Sequence, residues 1–585
     1  MDSIRDERSA GQAGTASASV PPVITVRGLV KRYDSHQAVA GIDLEVRHGE
    51  IFAFLGPNGA GKTTTVEILE GFRQRTAGEV SVLGQDPAVA DGTWRDRVGV
   101  VLQESEPEPG LSVRESLVMY AGFYRAPRDI DETIALVGLT AKAGALGTRL
   151  SGGQRRRLDF ALALIGDPEL IFLDEPTTGF DPSARRAAWE VIAGLRTLGK
   201  TVFLTTHYMD EAEYLADRIA VLSAGRIVAE GTPHTLGGRD HMNTSISFTL
   251  PDGLGPRDLP AGLSPLAEPR AGRPDRRAYR ESACPPADAR HLGTRPRLRP
   301  ARPRCPPSDP GRGLPVADQP HDRKGPAMIR LTLHQSRYDL LAFVRNRQSQ
   351  FFTLALPVLF LVIFASVFGS QGQTTQVSGG RISTSVYYVP GIMALGIIAA
   401  CFGNLVASVT AQRERGVLKR RRATPVPAAA VIADRVVTAV VIAVVMSAVL
   451  LGIGWAAYSA SVPGSTALAL VVTVVIGAAS FCCLGYALTS LIRNEDSAQP
   501  VTQALLLPLY FISGVFVAVS ILPQWLADVG EIFPVRHLAN ALLVAYNPHT
   551  TGLGFAGWDL LIVAAWGAAG LLIALRTFSW QPLGR

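Results

Sequence analysis

Gly56-Pro57-Asn58-Gly59-Ala60-Gly61-Lys62-Thr63-Thr64 follows the apolar run Ile51–Leu55 and fits the pattern G-x-x-x-x-G-K-[ST]. The context predicts a strand, a glycine-rich loop and a helix entered at Thr63. Glycines let successive backbone N–H groups converge on phosphate oxygens, and the helix turns the positive end of its dipole toward the same place. Lys62 would then reach the outer phosphates, while the Thr63 hydroxyl would serve a Mg²⁺ ion. A plain turn has no use for Lys and Thr directly after its last glycine.

A second apolar run, residues 170–173, ends in Asp174-Glu175-Pro176. It reads as a buried strand delivering two carboxylates to its C-terminal edge, where open α/β sheets bind ligands. Asp174 is expected to hold Mg²⁺ directly or through water. Glu175 is expected to orient and deprotonate the water attacking the γ-phosphate. Between the two runs stands Leu150-Ser151-Gly152-Gly153-Gln154, with a helix-like stretch behind it at 154–165. Ser151 and the Gly152 and Gly153 amides make an anion site at that helix N-terminus.

With these three motifs in this order, residues 23–236 resemble the nucleotide-binding domain of ABC transporters. The resemblance implies an α/β P-loop NTPase fold, with ATP and Mg²⁺ as ligands. It places Tyr33 against adenine and assigns the Mg²⁺-sensing glutamine linked to the membrane domain to Gln103. Asp181, in Gly179-Phe180-Asp181, matches a loop aspartate at the nucleotide interface, although Phe180 stands where the family usually has Leu. His207, after the strand-like run 202–205, matches the histidine that contacts the γ-phosphate. Two such domains face each other head to tail in the family, so Gly61, Lys62 and Glu175 of one copy would meet Ser151 and Gly153 of the other across ATP. The chain has a single set of motifs, so a second copy of itself is the expected partner.

The chain has 585 residues, and from Phe351 onward its composition becomes strongly apolar. Six runs of roughly 20 residues, the length a helix needs to cross a bilayer, fall at 351–369, 388–409, 436–458, 466–492, 501–522 and 558–575. An all-α, six-helix transmembrane domain is the expected fold of this half. The loop after the second run carries Arg413, Arg415, Lys419, Arg420, Arg421 and Arg422, and Arg493 follows the fourth, so both loops belong on the cytoplasmic side. The alternate loops hold only Arg381. The chain is therefore expected to be a multi-pass protein of the cytoplasmic membrane, with both termini and the ATPase inside. Residues 1–20 are polar and small, read as a disordered tail with no cleavable signal peptide.

Arg413-Glu414-Arg415-Gly416-Val417-Leu418-Lys419-Arg420 with Ala423-Thr424-Pro425, and later Phe511-Ile512-Ser513-Gly514-Val515-Phe516, resemble the type 2 ABC exporter permease over about 328–575. In that family the basic loop lies near the contact with the ATPase. An amphipathic segment before the first span, here within 328–350, lies along the cytoplasmic interface. Residues 523–557 read as an external re-entrant or interfacial region, with Asp528, Glu531 and Arg536 at the interface rather than on substrate. The resemblance implies export of small hydrophobic or amphipathic compounds. Arg155-Arg156-Arg157-Leu158-Asp159 and the segment after Gly231-Thr232-Pro233 are most similar to ATPases of the daunorubicin-resistance type, which puts drugs or antibiotics first. Lipid or lipid-linked glycan export and an ATPase used for sensing without transport are the alternatives.

The start of an ATPase accessory subdomain is expected at 241–269. Residues 270–327 then hold thirteen Arg and twelve Pro with no Ile, Phe, Met or Trp, a composition that cannot build a packed core. Two readings stay open for this stretch. It is an Arg/Pro-rich linker, or a frame-shifted read-through of two adjacent genes, the second beginning at Met328 behind a purine-rich codon run at Lys324-Gly325. The stretch carries a net charge of +8 within a chain of +7, so the remainder is close to neutral and the basic balance is no sign of a nucleic-acid partner. Cys284 and Cys305 fall here and the other three cysteines in apolar runs, so neither disulfides nor a cysteine metal site is expected.

Overall fold

The computed structural model describes residues 21–236, the short strands Ser245–Phe248, Ala267–Glu268 and Arg277–Arg280, and residues 328–369, 374–377, 380–458 and 463–580. The expected tail at 1–20, most of the expected accessory subdomain at 241–269 and all of 270–327 except Arg277–Arg280 lie outside the described residues. Arg277–Arg280 pairs antiparallel with both Ser245–Phe248 and Ala267–Glu268.

Among the described residues, nine strands precede that segment: β1 (Ile24–Tyr33), β2 (His36–Val46), β3 (Ile51–Leu55), β4 (Ala77–Val82), β5 (Val98–Val101), β6 (Leu170–Asp174), β7 (Thr201–Thr206), β8 (Arg218–Ser223) and β9 (Arg226–Gly231). One sheet is antiparallel in the order β2-β1-β4. The other runs β5-β6-β7-β3-β8-β9 and is parallel from β5 to β8. β3, β5, β6 and β7 are buried along their whole length, which is why they read as continuous apolar runs rather than alternating ones. Successive side chains still point to opposite faces. Phe52, Phe54, Phe172 and Phe203 cluster with Ile24 and Val26, while Ile51, Ile171, Leu173, Val202 and Leu204 share a core with residues of the helices Val113–Ala121, Gly152–Leu164 and Pro182–Thr197. Parallel strands bring all their C-terminal ends to one edge, and the sequence motifs follow those ends.

Among the described residues of the second half, five helical segments are long and apolar enough to cross a membrane: Arg347–Val367, Thr384–Glu414, Ala428–Tyr458, Ala467–Thr489 and Gly557–Thr577. Five of the expected runs fall on these helices, the third helix beginning at Ala428 rather than at 436. The second helix extends past its run at both ends and contains a π-helical turn at Ala399–Gly403. The fifth expected run, 501–522, differs: helix spans Glu495–Ile512, contains Pro500 and Pro508, and gives way to a turn at Ser513-Gly514. Gly514 has φ 83°, which ends the helix in a conformation that side chains resist. This shorter helix still runs from end to end. Glu495 pairs with Arg415 at one end, and beyond the other the Gly514 carbonyl accepts from Tyr387, next to the start of the second helix. Helices Gln524–Gly530 and Pro534–Tyr546 follow, with Arg536 paired to Glu531 and Gln524 bonded to Asp528.

Ala428–Tyr458 has 31 residues and is therefore about 46 Å long, well beyond a ~30 Å hydrocarbon core. Its first turns extend to the ATPase side, where Val426, Ala430 and Val431 join the core of the ATPase helices. The amphipathic helix Met328–Arg345 meets the same surface. Leu331 and Tyr338 are buried there, His334 Nε2 lies 3.2 Å from the Met119 carbonyl, and Arg345 pairs with Glu115 at 2.6 Å. Ile329, Leu333 and Val344 on its other face are exposed.

Candidate active site

The phosphate loop follows β3 as expected, and its helix is Lys62–Leu69. Gly61 sits at the N-cap with φ 102°, and a Cβ there would collide with the Ala38 carbonyl oxygen, so the position admits glycine alone. Gly56 and Ala60 are buried, whereas Pro57, Asn58 and Gly59 form an exposed rim. Thr63 is exposed in the first turn and Thr64 half-buried beside it. Lys62 folds back across the loop, its ammonium donating to the Gly56 carbonyl at 2.7 Å and the Pro57 carbonyl at 3.2 Å.

Glu175 is the centre of the site. Its Oε1 lies 3.2 Å from Lys62 Nζ, and its Oε2 accepts from Gln103 Nε2 at 3.3 Å and Thr178 Oγ1 at 3.2 Å. His207 Nδ1 lies 3.3 Å from the same oxygen without making a hydrogen bond to it. Four side chains proposed from separate stretches of sequence thus converge within one cluster. Asp174 lies beside them, its Oδ1 accepting from Thr205 Oγ1 at 2.5 Å. Burial pushes the Asp174 carboxyl above its ordinary value. The hydroxyl of Thr63, the carboxylate of Asp174 and the amide oxygen of Gln103 are hard oxygen donors with one carboxylate among them. That set suits Mg²⁺, which takes one or two protein carboxylates and completes its shell with water and phosphate.

Ser151 caps the helix Gly152–Leu164 in a capping box: its Oγ accepts from the Gln154 N–H at 3.4 Å, and its own N–H donates to Gln154 Oε1 at 3.1 Å. Ser151, Gly153 and Gln154 line a cleft of about 340 Å³ together with Phe180, Ser183 and Ala184. Phe180, the departure from the family pattern, therefore packs at this cleft. Asp181 caps the next helix, Pro182–Thr197, accepting from the N–H groups of Ser183 and Ala184 at 2.9 Å. Among the described residues, no hydrogen bond or ion pair joins 150–154 to the phosphate loop of the same chain. Tyr33, at the end of β1, lies under the cations of Lys31 and Arg73, at 5.0 and 5.3 Å from its ring.

Several supporting residues escape sequence reasoning. Buried Arg156 donates to the carbonyls of Leu102, Asp174 (3.1 Å) and Pro176 (2.9 Å), tying the helix behind Ser151 to the ends of β5 and β6. Thr205, opposite Asp174 in the sheet register, also receives the Glu175 N–H on its Oγ1 at 3.0 Å. The third set comes from the membrane half. Helix Val417–Ala423 follows Gly416, and its four consecutive cations each take a different partner on the ATPase. Lys419 pairs with Glu67 at 2.7 Å, Arg420 with Asp159 at 2.5 Å and with Ser105, and Arg421 with both oxygens of Glu108 at 3.0 Å. Arg422 donates to the Gly71 carbonyl at 3.3 Å. The basic loop, legible as a topology signal, is thus also the seat of the ATPase on the membrane helices.

Comparison with known proteins agrees with this architecture. Residues 39–178 match the ABC transporter family, and residues 333–547 match the ABC-2 type transporter family. The Nod factor export ATP-binding protein I of Burkholderia pseudomallei (strain 1710b) is 41% identical over 255 residues, covering 43% of this chain and 83% of that protein. The protein of the same name from Rhizobium johnstonii is 42% identical over 226 residues, 38% of this chain and 73% of its own length. A solved dimeric ATP-binding cassette in a post-hydrolysis state with ADP and Pi is 27% identical, covering 36% of this chain and 98% of its own, with a TM-score of 0.34. The chain belongs to the ABC transporters: an ATP-hydrolysing ABC ATPase fused to an ABC-2 type membrane domain.

Proposed function

We propose that the chain works as a dimer of identical fused half-transporters, exporting small hydrophobic or amphipathic compounds across the cytoplasmic membrane, with drugs or antibiotics as the first class. The observation that carries the catalytic part is the convergence of Lys62, Gln103, Thr178 and His207 on buried Glu175. In this reading Lys62 exchanges its loop carbonyls for the outer phosphates of ATP. Gly56, Pro57, Asn58, Gly59, Ala60 and Gly61 supply backbone donors around those phosphates, and Tyr33 supports the adenine. Glu175 takes the proton of the attacking water while His207 and Gln103 hold the γ-phosphate and that water in line. Thr63, Gln103 and Asp174 would hold Mg²⁺, which when bound neutralises charge on the phosphate oxygens. Ser151, Gly152, Gly153 and Gln154, which meet no phosphate loop within their own chain, complete the site of the partner copy, with Asp181 beside them.

Export, rather than uptake, is supported by the ABC-2 match and by relatives named for Nod factor export. Between their charged ends the membrane helices are apolar and suit apolar cargo. Both loops on the ATPase side carry the basic residues, which supports a cytoplasmic ATPase. The test is flux in inverted vesicles carrying the full chain, with hydrophobic drugs in one arm and labelled lipids or lipid-linked glycans in the other. ATP-dependent accumulation of drugs, lost in the Glu175→Gln chain, is the expected result. Accumulation only in the lipid arm moves the substrate class, and ATPase activity without flux of either overturns the exporter reading.

A further inference from the structure

The basic helix Val417–Ala423 touches the ATPase along two separate lines. One is the segment next to Gln103: Arg421 holds Glu108, Gly416 at φ 74° lies so close that a Cβ would stand 2.7 Å from the Glu104 carbonyl oxygen, and the Glu106 N–H donates to the Arg415 carbonyl at 2.9 Å. The other line goes to the phosphate-loop helix itself. Lys419 Nζ lies 2.7 Å from Glu67 Oε1, and Arg422 donates to the carbonyls of Gly71 at 3.3 Å and Phe72 at 3.5 Å, just beyond that helix's last turn. Both cations also lie over the Phe72 ring, at 5.2 and 5.5 Å from its centre. A cation at a helix C-terminus meets the negative end of the helix dipole, so both contacts act on the helix as a unit.

Glu67 is five residues from Lys62 on the same helix, a separation of about 8 Å along a rigid element. Arg73 also binds Glu67, at 2.6 Å, but it comes from the ATPase and moves with it. Glu70, one turn further on, is buried at 5% exposure and its Oε1 has no hydrogen-bond partner, which leaves this end of the helix rich in carboxylate. Lys419 and Arg422 are cations that the membrane half adds there. Glu175 and His207 stand on the ends of β6 and β7 and do not belong to this helix.

We propose that Lys419 and Arg422 are positioning residues for the phosphate loop: through the helix Lys62–Leu69, docking of the membrane helices sets how tightly ATP is held, separately from the line through Gln103 and Glu108. This rests on the assignment of Lys62 and its loop to the phosphates. The consequence is a split between binding and chemistry. In the full chain in lipid nanodiscs, Lys419→Met and Arg422→Gln should each weaken binding of the fluorescent analogue mant-ATP and raise KM for ATP by roughly fivefold, the effect of losing one partly buried charge contact. Turnover at saturating ATP should stay within about twofold of the native value. Lys419→Arg should bind as the native chain does. Native mant-ATP affinity in Lys419→Met and Arg422→Gln overturns the proposal, as does an equal fall in turnover and affinity. A Lys62→Ala control separates the two layers. If that chain still binds and hydrolyses ATP normally, the site assignment itself is wrong; if it fails while Lys419→Met binds normally, only the present inference falls.

Discussion

Glu175 has φ 44°, in the left-handed region that a glutamate enters only when its surroundings hold it there. Its N–H is fixed by both oxygens of Thr205, at 3.2 Å for the carbonyl and 3.0 Å for the hydroxyl, and its carboxylate by Lys62, Gln103 and Thr178. A side chain pinned from every direction is poised for one task, here the proposed deprotonation of water. Replacing it by glutamine keeps size and most hydrogen-bonding capacity but removes the base. Glu175→Gln should lower steady-state ATP turnover by roughly 10² or more while retaining bound nucleotide. Phosphate release and nucleotide retention, measured on one sample, check both halves; near-normal hydrolysis points to another base. Lys62 could be named from its glycine-rich motif, and Gln103 and His207 from the family resemblance, each standing just past an apolar run. Thr205 and Arg156 could not: Arg156 holds the main-chain carbonyls of Asp174 and Pro176, Thr205 holds the Asp174 carboxylate and the Glu175 N–H from the neighbouring strand, and no spacing announces such bonds.

At the scale of elements, the seven-residue basic helix is decisive because its four cations, stepping about 100° each, point to different sides of the helix. Arg421 and Glu108 are exposed by 1% and 2%, and Asp339 and Asp434 flank the same guanidinium at 3.7 and 3.9 Å. Removing one partner of such a pair leaves a buried charge uncompensated, at a cost of about 3–5 kcal/mol. Arg421→Met should therefore lower the thermal midpoint of the whole chain, and adding Glu108→Gln should recover part of the loss. Burial alone would raise the Glu108 carboxyl, but Arg421, with Arg420 and the Tyr120 hydroxyl, outweighs it and holds the group below its ordinary value of 4.5. A carboxyl depressed in the folded state stabilises above its unfolded pKa and loses that contribution as pH falls through the folded one. The stability difference between the native chain and Arg421→Met with Glu108→Gln should thus be level near neutrality and shrink only as the pH falls below 4.5; a difference that shrinks already near pH 7 contradicts the ion-pair account. These pairings join residues some 300 positions apart, as with Glu108 and Arg421, and so were invisible in the chain. The helices were legible by apolar length, and the one whose bounds differ most, Glu495–Ile512, does so for a physical reason: two prolines and an acidic first turn dilute its apolar length.

For the whole molecule, the proposed site residues of one chain fall into two separate groups. The phosphate loop, Glu175 and His207 lie together, while Ser151 and Gln154 satisfy each other in a capping box and face a cleft with Phe180 rather than the loop of their own chain. If two copies close head to tail, each ATP lies between Lys62 of one and Ser151 of the other. Lys62→Ala disables the loop side of every site its chain contributes to, and Ser151→Arg fills the opposing side, so neither variant alone can build an intact site. A mixed dimer differs: the native loop of the Ser151→Arg chain meets the native Ser151 of the Lys62→Ala chain, giving one intact site of two. Coexpressed variants carrying different affinity tags and purified through both should regain ATP binding between chains and a measurable part of native turnover, while each homodimer stays inactive. Recovery confined to the mixed species is expected only if the site is shared across chains. A doubly tagged dimer that binds no ATP between its chains would mean that the two halves meet in some other way.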